Sequence, residues 1–234
     1  MVRVTQVASE PDQGGIDSIV HVAHSTGLGR QGHRGATKIS PMSEQAPINL
    51  TNQFLIAMPG MTDGNFAGTV VYMCEHTERG ALGLVINRPV EIDVRGLFEK
   101  VNLTLEREDL LSTPVYLGGP VQTERGFVLH EQLDEEGGHY NSSLKIEGGL
   151  EMTTSRDVLE AMSNGAGPRK VLISLGYSGW SAGQLEDELS RNGWLTVPAT
   201  REIIFDTPVE ERYDRALSLL GIDRSVLSAE AGHA

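Results

Sequence analysis

Three extended apolar runs follow one another between Asn52 and Asn87, and this strand-dense stretch constrains the fold more than any other feature of the chain. Asn52 to Met58 reads as a strand and Met58-Pro-Gly-Met-Thr-Asp-Gly-Asn65 as a loop. Gly68 to His76 and Ala81 to Asn87 then form two β-rich runs about Thr77-Glu-Arg-Gly80, a hairpin signal.

Downstream the apolar period changes. Val94, Leu97, Phe98 and Val101 fall at helical spacing, with Asp93 placed to cap the first turn. Strands are expected at Pro114 to Leu117, Gly126 to His130 and around Leu144 to Ile146. Thr154 with Asp157 resembles a cap for a helix carrying Val158, Leu159 and Met162, ended by Asn164-Gly-Ala-Gly-Pro168. Lys170 to Leu175 has the composition of a central strand, followed by a loop, Gly176-Tyr-Ser-Gly-Trp180, and a helix from Ser181 to Arg191. Arg201 to Phe205 is expected as the last strand. Thr207-Pro208-Val209-Glu210 reads as a capping box opening a final helix, whose face is Val209, Tyr213, Ala216, Leu217 and Leu220 and whose stop is Gly221. Strand clusters preceding a helix and strand alternation predict an α+β class with a mixed sheet and about four helices.

Residues 1 to 41 are different in kind. They contain no Phe, Trp or Tyr, and Gly14, Gly15, Gly27, Gly29, Gly32 and Gly35 interrupt them. Such a segment buries too little to offset its ordering entropy and is expected to be a disordered extension. Recognisable globular sequence begins just after Met42, which makes Met42 the expected start and 42–234 a single domain. His21 and His24 have neither further ligands at zinc spacing nor groups to orient them.

The formal net charge of -13 repels phosphate backbones, and the Lys and Arg residues are scattered among carboxylates, so direct nucleic-acid binding is disfavoured. No apolar run approaches the roughly 18 residues of a membrane span. Cys74 is the only cysteine, which excludes an intramolecular disulfide and fits a reducing cytoplasm. Without a dinucleotide-binding fingerprint, zinc spacing or a calcium loop, no cofactor or metal is implied.

Four ordered blocks carry a further signal: Phe54-Leu-Ile-Ala-Met-Pro-Gly-Met61; Cys74-Glu-His76 with Gly80-Ala-Leu-Gly-Leu-Val-Ile-Asn-Arg-Pro89; Gly118-Gly-Pro120; and Gly176-Tyr-Ser-Gly-Trp180 with Gly183-Gln-Leu-Glu186. Together they resemble the YqgE/AlgH family from about Ile48 to Ile222, with Leu82 standing where such sequences have methionine. The resemblance implies a compact α+β fold around a mixed, barrel-like sheet in a bacterial protein with no settled enzyme activity. Members are often labelled transcriptional regulators, but this chain shows no helix-turn-helix with a basic recognition helix.

The residues that invite chemistry lie in these blocks. In a regular strand Tyr72, Cys74 and His76 share one face, with Cys74 and His76 roughly 6 to 7 Å apart and Gly83 opposite the thiol. An activated Cys74 needs a base or positive charge, for which His76 and Arg88 are the candidates; a buried, inert thiol is the plainer reading. Ser178 follows a strand and precedes a helix, yet Trp180 stands where a nucleophile elbow needs a small residue, which favours loop closure and indole packing. Asn87 and Arg88 end a strand, where Arg88 would suit a carboxylate or phosphate or serve a turn. Gly118-Gly119 is a turn before it is an anion nest. Two functions follow: a binding or regulatory protein acting through a protein partner or small molecule, or a Cys74-centred enzyme or redox sensor.

Overall fold

The computed structural model describes residues 48–133, 139–224 and 227. The extension expected over residues 1–41, with His21 and His24, lies outside them. The strands are β1 (Gln53–Ala57), β2 (Val70–Thr77), β3 (Gly80–Val85), β4 (Pro89–Asp93), β5 (Pro114–Leu117), β6 (Val121–Glu131), β7 (Ser143–Ile146), β8 (Leu150–Thr153), β9 (Val171–Ser181) and β10 (Trp194–Pro198). The α-helices among the described residues are α1 (Val94–Lys100), α2 (Arg156–Ser163), α3 (Gln184–Ser190) and α4 (Arg212–Ser218). Short helical turns occupy Glu108–Leu110, Glu202–Asp206 and Val209–Glu211.

One sheet runs in the order β10-β1-β2-β3-β9-β6-β8-β7, with β5 added to β9 and β4 to β5. Its pairings are antiparallel except β5 on β9, which makes it mixed as expected. The sheet curls into a half-barrel because β9 changes neighbours along its length. Ile173, Ser174 and Leu175 pair with β5 and β6, whereas Ser178 to Ser181 pair with β3. The change falls at Gly176, whose φ of 70° no β-branched residue adopts readily. Gly176 to Trp180 is therefore strand and not the expected loop; its glycines mark a bend in a continuous element. At the two ends of the curl, Arg201 donates to the carbonyls of Gly148 and Gly149 at 2.9 and 3.2 Å, drawing the exit of β10 toward the β7–β8 turn.

Three apolar clusters fill the layers. Phe54, Tyr72, Cys74, Leu84, Leu129 and Leu172 face the concave interior, which α4 closes with Tyr213, Ala216 and Leu217. On the outside, α3 covers Val71, Met73 and Val85, while α1 and α2 cover Val115, Val128 and Ile173. Asp93 caps α1 as its position predicts, its carboxylate accepting from the Gly96 amide at 2.8 Å.

Several local expectations are corrected. Ser155, not Thr154, occupies the cap position of α2, and the Asp157 carboxylate accepts from the Asn141 and Val158 amides. Arg201 to Phe205 is no strand: consecutive Ile203 and Ile204 are both buried in the interior cluster, which a strand's alternation forbids and a helical turn allows. The last strand among the described residues is β10. The Thr207 hydroxyl closes that preceding turn on the Glu202 carbonyl at 3.1 Å instead of capping the next helix, and no capping box forms.

Candidate functional site

The thiol and the imidazole do not meet. A β-bulge interrupts β2 opposite β3: Met73 pairs with Gly83, Glu75 pairs with Leu82, and Cys74 is the extra residue between them. Gly83 therefore lies opposite Met73, not Cys74. One inserted residue reverses the facing of everything beyond it. Cys74 stays in the interior cluster with Leu82, while His76, opposite Ala81, turns to the outer layer under α3. Cys74 is 1% exposed, its Sγ lies 3.8 Å from the Tyr72 carbonyl oxygen, and burial pushes its pKa far up. His76 accepts the Leu50 amide at Nδ1 (3.1 Å), so Nε2 carries the proton and donates to Glu186 at 2.9 Å. The imidazole thus joins the chain entering β1 to helix α3.

Asn87 and Arg88 hold the loop between β1 and β2. The Asn87 side chain accepts from the Val70 amide at 2.8 Å and donates to the Gly68 carbonyl at 3.0 Å. Arg88 donates to the carbonyls of Gly64, Asn65 and Ala67 at 2.9, 2.7 and 3.2 Å. The loop so fixed carries Phe66, which stacks on Trp180 (5.9 Å between centroids) and meets Trp194 edge-on (5.4 Å). Both indole N–H groups donate to one oxygen of the buried Glu188 carboxylate, at 2.9 and 2.8 Å, and Gln184 donates to the other at 3.0 Å. Trp180 packs against the following helix as its position suggested. Glu188, the acceptor both indoles require, carries no sequence signal beyond its place on a helix.

Gly118, Gly119 and Ser178 meet in a backbone crossing. A Cβ on Gly118 would lie 2.3 Å from the Gly176 carbonyl oxygen, and one on Gly119 would lie 2.3 Å from the Tyr177 carbonyl carbon. The Gly118 carbonyl accepts from the Val85 amide at 2.8 Å and from the buried Ser178 hydroxyl at 3.0 Å. These contacts place β3, β5 and β9 at van der Waals limits, and only glycine permits the approach. Gly118, Gly119 and Ser178 thus form one backbone crossing and Asn87 and Arg88 anchor the loop that sets Phe66 on Trp180, while His76 shares a cross-strand row with Ala81 and Trp180 on the outer face and Cys74 faces the interior.

A cleft of about 340 Å³, which the sequence did not single out, opens where α4 meets β5 and β9. Asp109, Ser112, Thr113, Tyr116, Leu172, Ile204, Phe205 and Arg212 contribute to its wall. Arg212 is only 5% exposed; it donates from Nε to the Thr207 carbonyl at 3.0 Å and from Nη1 to the Ile86 carbonyl, and its guanidinium carbon lies 5.0 Å over the Tyr116 ring. Burial lowers its pKa, partly opposed by Tyr116, and no carboxylate among the described residues pairs with it. An arginine is ordinarily a surface residue, so the helical period alone gave no reason to place this one inside. Among the described residues, no three His, Cys, Asp or Glu side chains gather as a metal site, and no helix is long and apolar enough to cross a membrane.

Comparison with known proteins agrees with this architecture. A UPF0301 protein of Burkholderia vietnamiensis is 67% identical over 187 residues, spanning 80% of this chain and 96% of its own. One from Cupriavidus pinatubonensis is 67% identical over 190 residues, spanning 81% and 98%. The solution structure of the AlgH protein from Pseudomonas aeruginosa superposes with a TM-score of 0.65 at 52% identity, covering 82% of this chain and all of that one. A Corynebacterium diphtheriae protein shares the fold at a TM-score of 0.58 and 17% identity, over 75% of this chain and 88% of its own. The AlgH-like family model matches residues 54–225, and the chain belongs to that family.

Proposed function

We propose that this is a cytoplasmic binding or regulatory protein that acts through a protein partner or a small molecule, with any effect on transcription exerted indirectly. The observation that carries this reading is the bulge at Cys74, which buries the thiol in the half-barrel and turns His76 to the opposite face. A thiolate nucleophile or redox sensor needs access and a neighbouring base or cation, and this arrangement supplies neither to Cys74. The net charge of -13 supports protein or small-molecule partners over a phosphate backbone.

Thiol alkylation of the native protein tests the reading. With labelling limited to opened molecules, the rate in buffer falls at least about a thousandfold below that in urea, given ordinary domain stability. It also follows stability, not thiolate fraction, and changes in His76→Ala only as far as that variant is destabilised. Fast labelling at neutral pH in a fully folded protein, slowed by His76→Ala, would put the Cys74 enzyme or redox sensor in its place.

A further inference from the structure

We propose that the cleft beside Arg212 binds a small monocarboxylate, with the buried guanidinium and the Ser112 and Thr113 hydroxyls as its recognition groups. This rests on the binding reading above and gives it a ligand class. Arg212 is 5% exposed, yet its partners among the described residues are two backbone carbonyls and the Tyr116 side chain, all neutral. A charge withdrawn from water in this way lacks the counter-charge that buried cations ordinarily have. The space against it is open: the cleft holds about 340 Å³, at the lower end of the range in which small-molecule sites fall. Ser112 and Thr113 line it, and their hydroxyls have no hydrogen-bond partner among the described residues.

The surroundings select the charge. Asp109 lines the cleft but is held by Arg107 at 2.6 Å, and Asp206, next to the lining residue Phe205, is held by Lys170 at 2.6 Å. Glu210 lies close enough to act on Tyr116. Asp109 and Asp206 thus have their own cations, and among the described residues Arg212 has no carboxylate partner. A single negative charge balances it, whereas a phosphate dianion would meet Asp109, Asp206 and Glu210 on a chain of net charge -13. A carboxylate also matches the planar fork of the guanidinium, and Leu172, Ile204 and Phe205 offer an apolar wall to a short alkyl group.

The test is an amide and arginine side-chain NMR titration of the full chain with sodium acetate, inorganic phosphate and sodium chloride at matched ionic strength. Acetate is expected to give saturating shifts at Ser112, Thr113 and the Arg212 Nε–H, with phosphate weaker by several fold. Ser112→Tyr, an exposed position at the cleft that leaves Arg212 and its bonds in place, is expected to abolish saturation. Arg212→Lys keeps the charge but loses the fork, and its acetate affinity should fall about tenfold or more. Shifts that rise linearly and match chloride, or saturation unchanged in folded Ser112→Tyr, would overturn the site. Tighter binding of phosphate than acetate would overturn the ligand class. Any of these failures leaves the Cys74 alkylation result, and the reading it tests, untouched.

Discussion

Replacing Gly118 by alanine should be among the most damaging single-methyl additions in the protein. The new Cβ would lie 2.3 Å from the Gly176 carbonyl oxygen and 2.8 Å from the Ser174 hydroxyl, the first a backbone atom that no rotamer change can move. Relief requires β9 and the end of β5 to separate by roughly an ångström, since ordinary contacts begin near 3.4 Å. That movement works against the Gly118 amide bond to Leu175 (2.9 Å) and the two bonds accepted by the Gly118 carbonyl, from the Val85 amide (2.8 Å) and Ser178 hydroxyl (3.0 Å). Overpacking costs about 1–3 kcal/mol, and each weakened bond adds about 1 kcal/mol. The expected loss is therefore about 4–6 kcal/mol, a large share of ordinary domain stability. Urea unfolding followed by tryptophan fluorescence measures it, with Gly126→Ala as the control, because a Cβ there meets nothing within 4 Å. A loss under about 1 kcal/mol for Gly118→Ala would refute the account of these glycines as a packing requirement.

Other perturbations follow from the same contacts. Asn87→Ala strips the Val70 amide of its acceptor and should cost about 1–3 kcal/mol, with faster hydrogen exchange in the loop over residues 58–69. Glu188→Ala removes the acceptor of both indoles, so a loss of about 3 kcal/mol should accompany a shift in tryptophan emission. His130 is fully buried, donates from Nδ1 to the Glu131 carbonyl and accepts from Thr153 at Nε2; burial lowers its pKa. Its unfolded form takes up a proton near pH 6.5 while the folded form resists, so stability should fall as pH drops below about 6.5. A His130→Gln variant should lose that part of the slope in urea midpoints measured from pH 7 to 5.

Much of the architecture was legible because local signals agreed with the tertiary structure. Asp93 before an apolar helical period gave α1 and its cap, and the runs around Thr77 to Gly80 gave the hairpin. Gly176 misled because a glycine that bends a strand looks the same in sequence as one that ends it. Ile203 and Ile204 misled because β-branched residues favour strands, while the half-barrel needed both side chains on one side. The candidate site was less legible still. Val70 to Cys74 is buried on both faces, so no polar alternation fixes the register, and a one-residue bulge leaves no trace in such a run. The backbone crossing at Gly118 and the burial of Arg212 depend on contacts between distant segments, which no local pattern records.

The ionisation of Cys74 tests the central claim most directly. Its Cβ chemical shift, followed by NMR in the folded protein across the neutral and alkaline range, reports the thiol itself without a reagent having to reach it. The account predicts no titration through pH 9 while the protein remains folded, in the parent chain and in His76→Ala alike. A thiolate forming at or below about pH 8, with a midpoint that rises when His76 is removed, would contradict it.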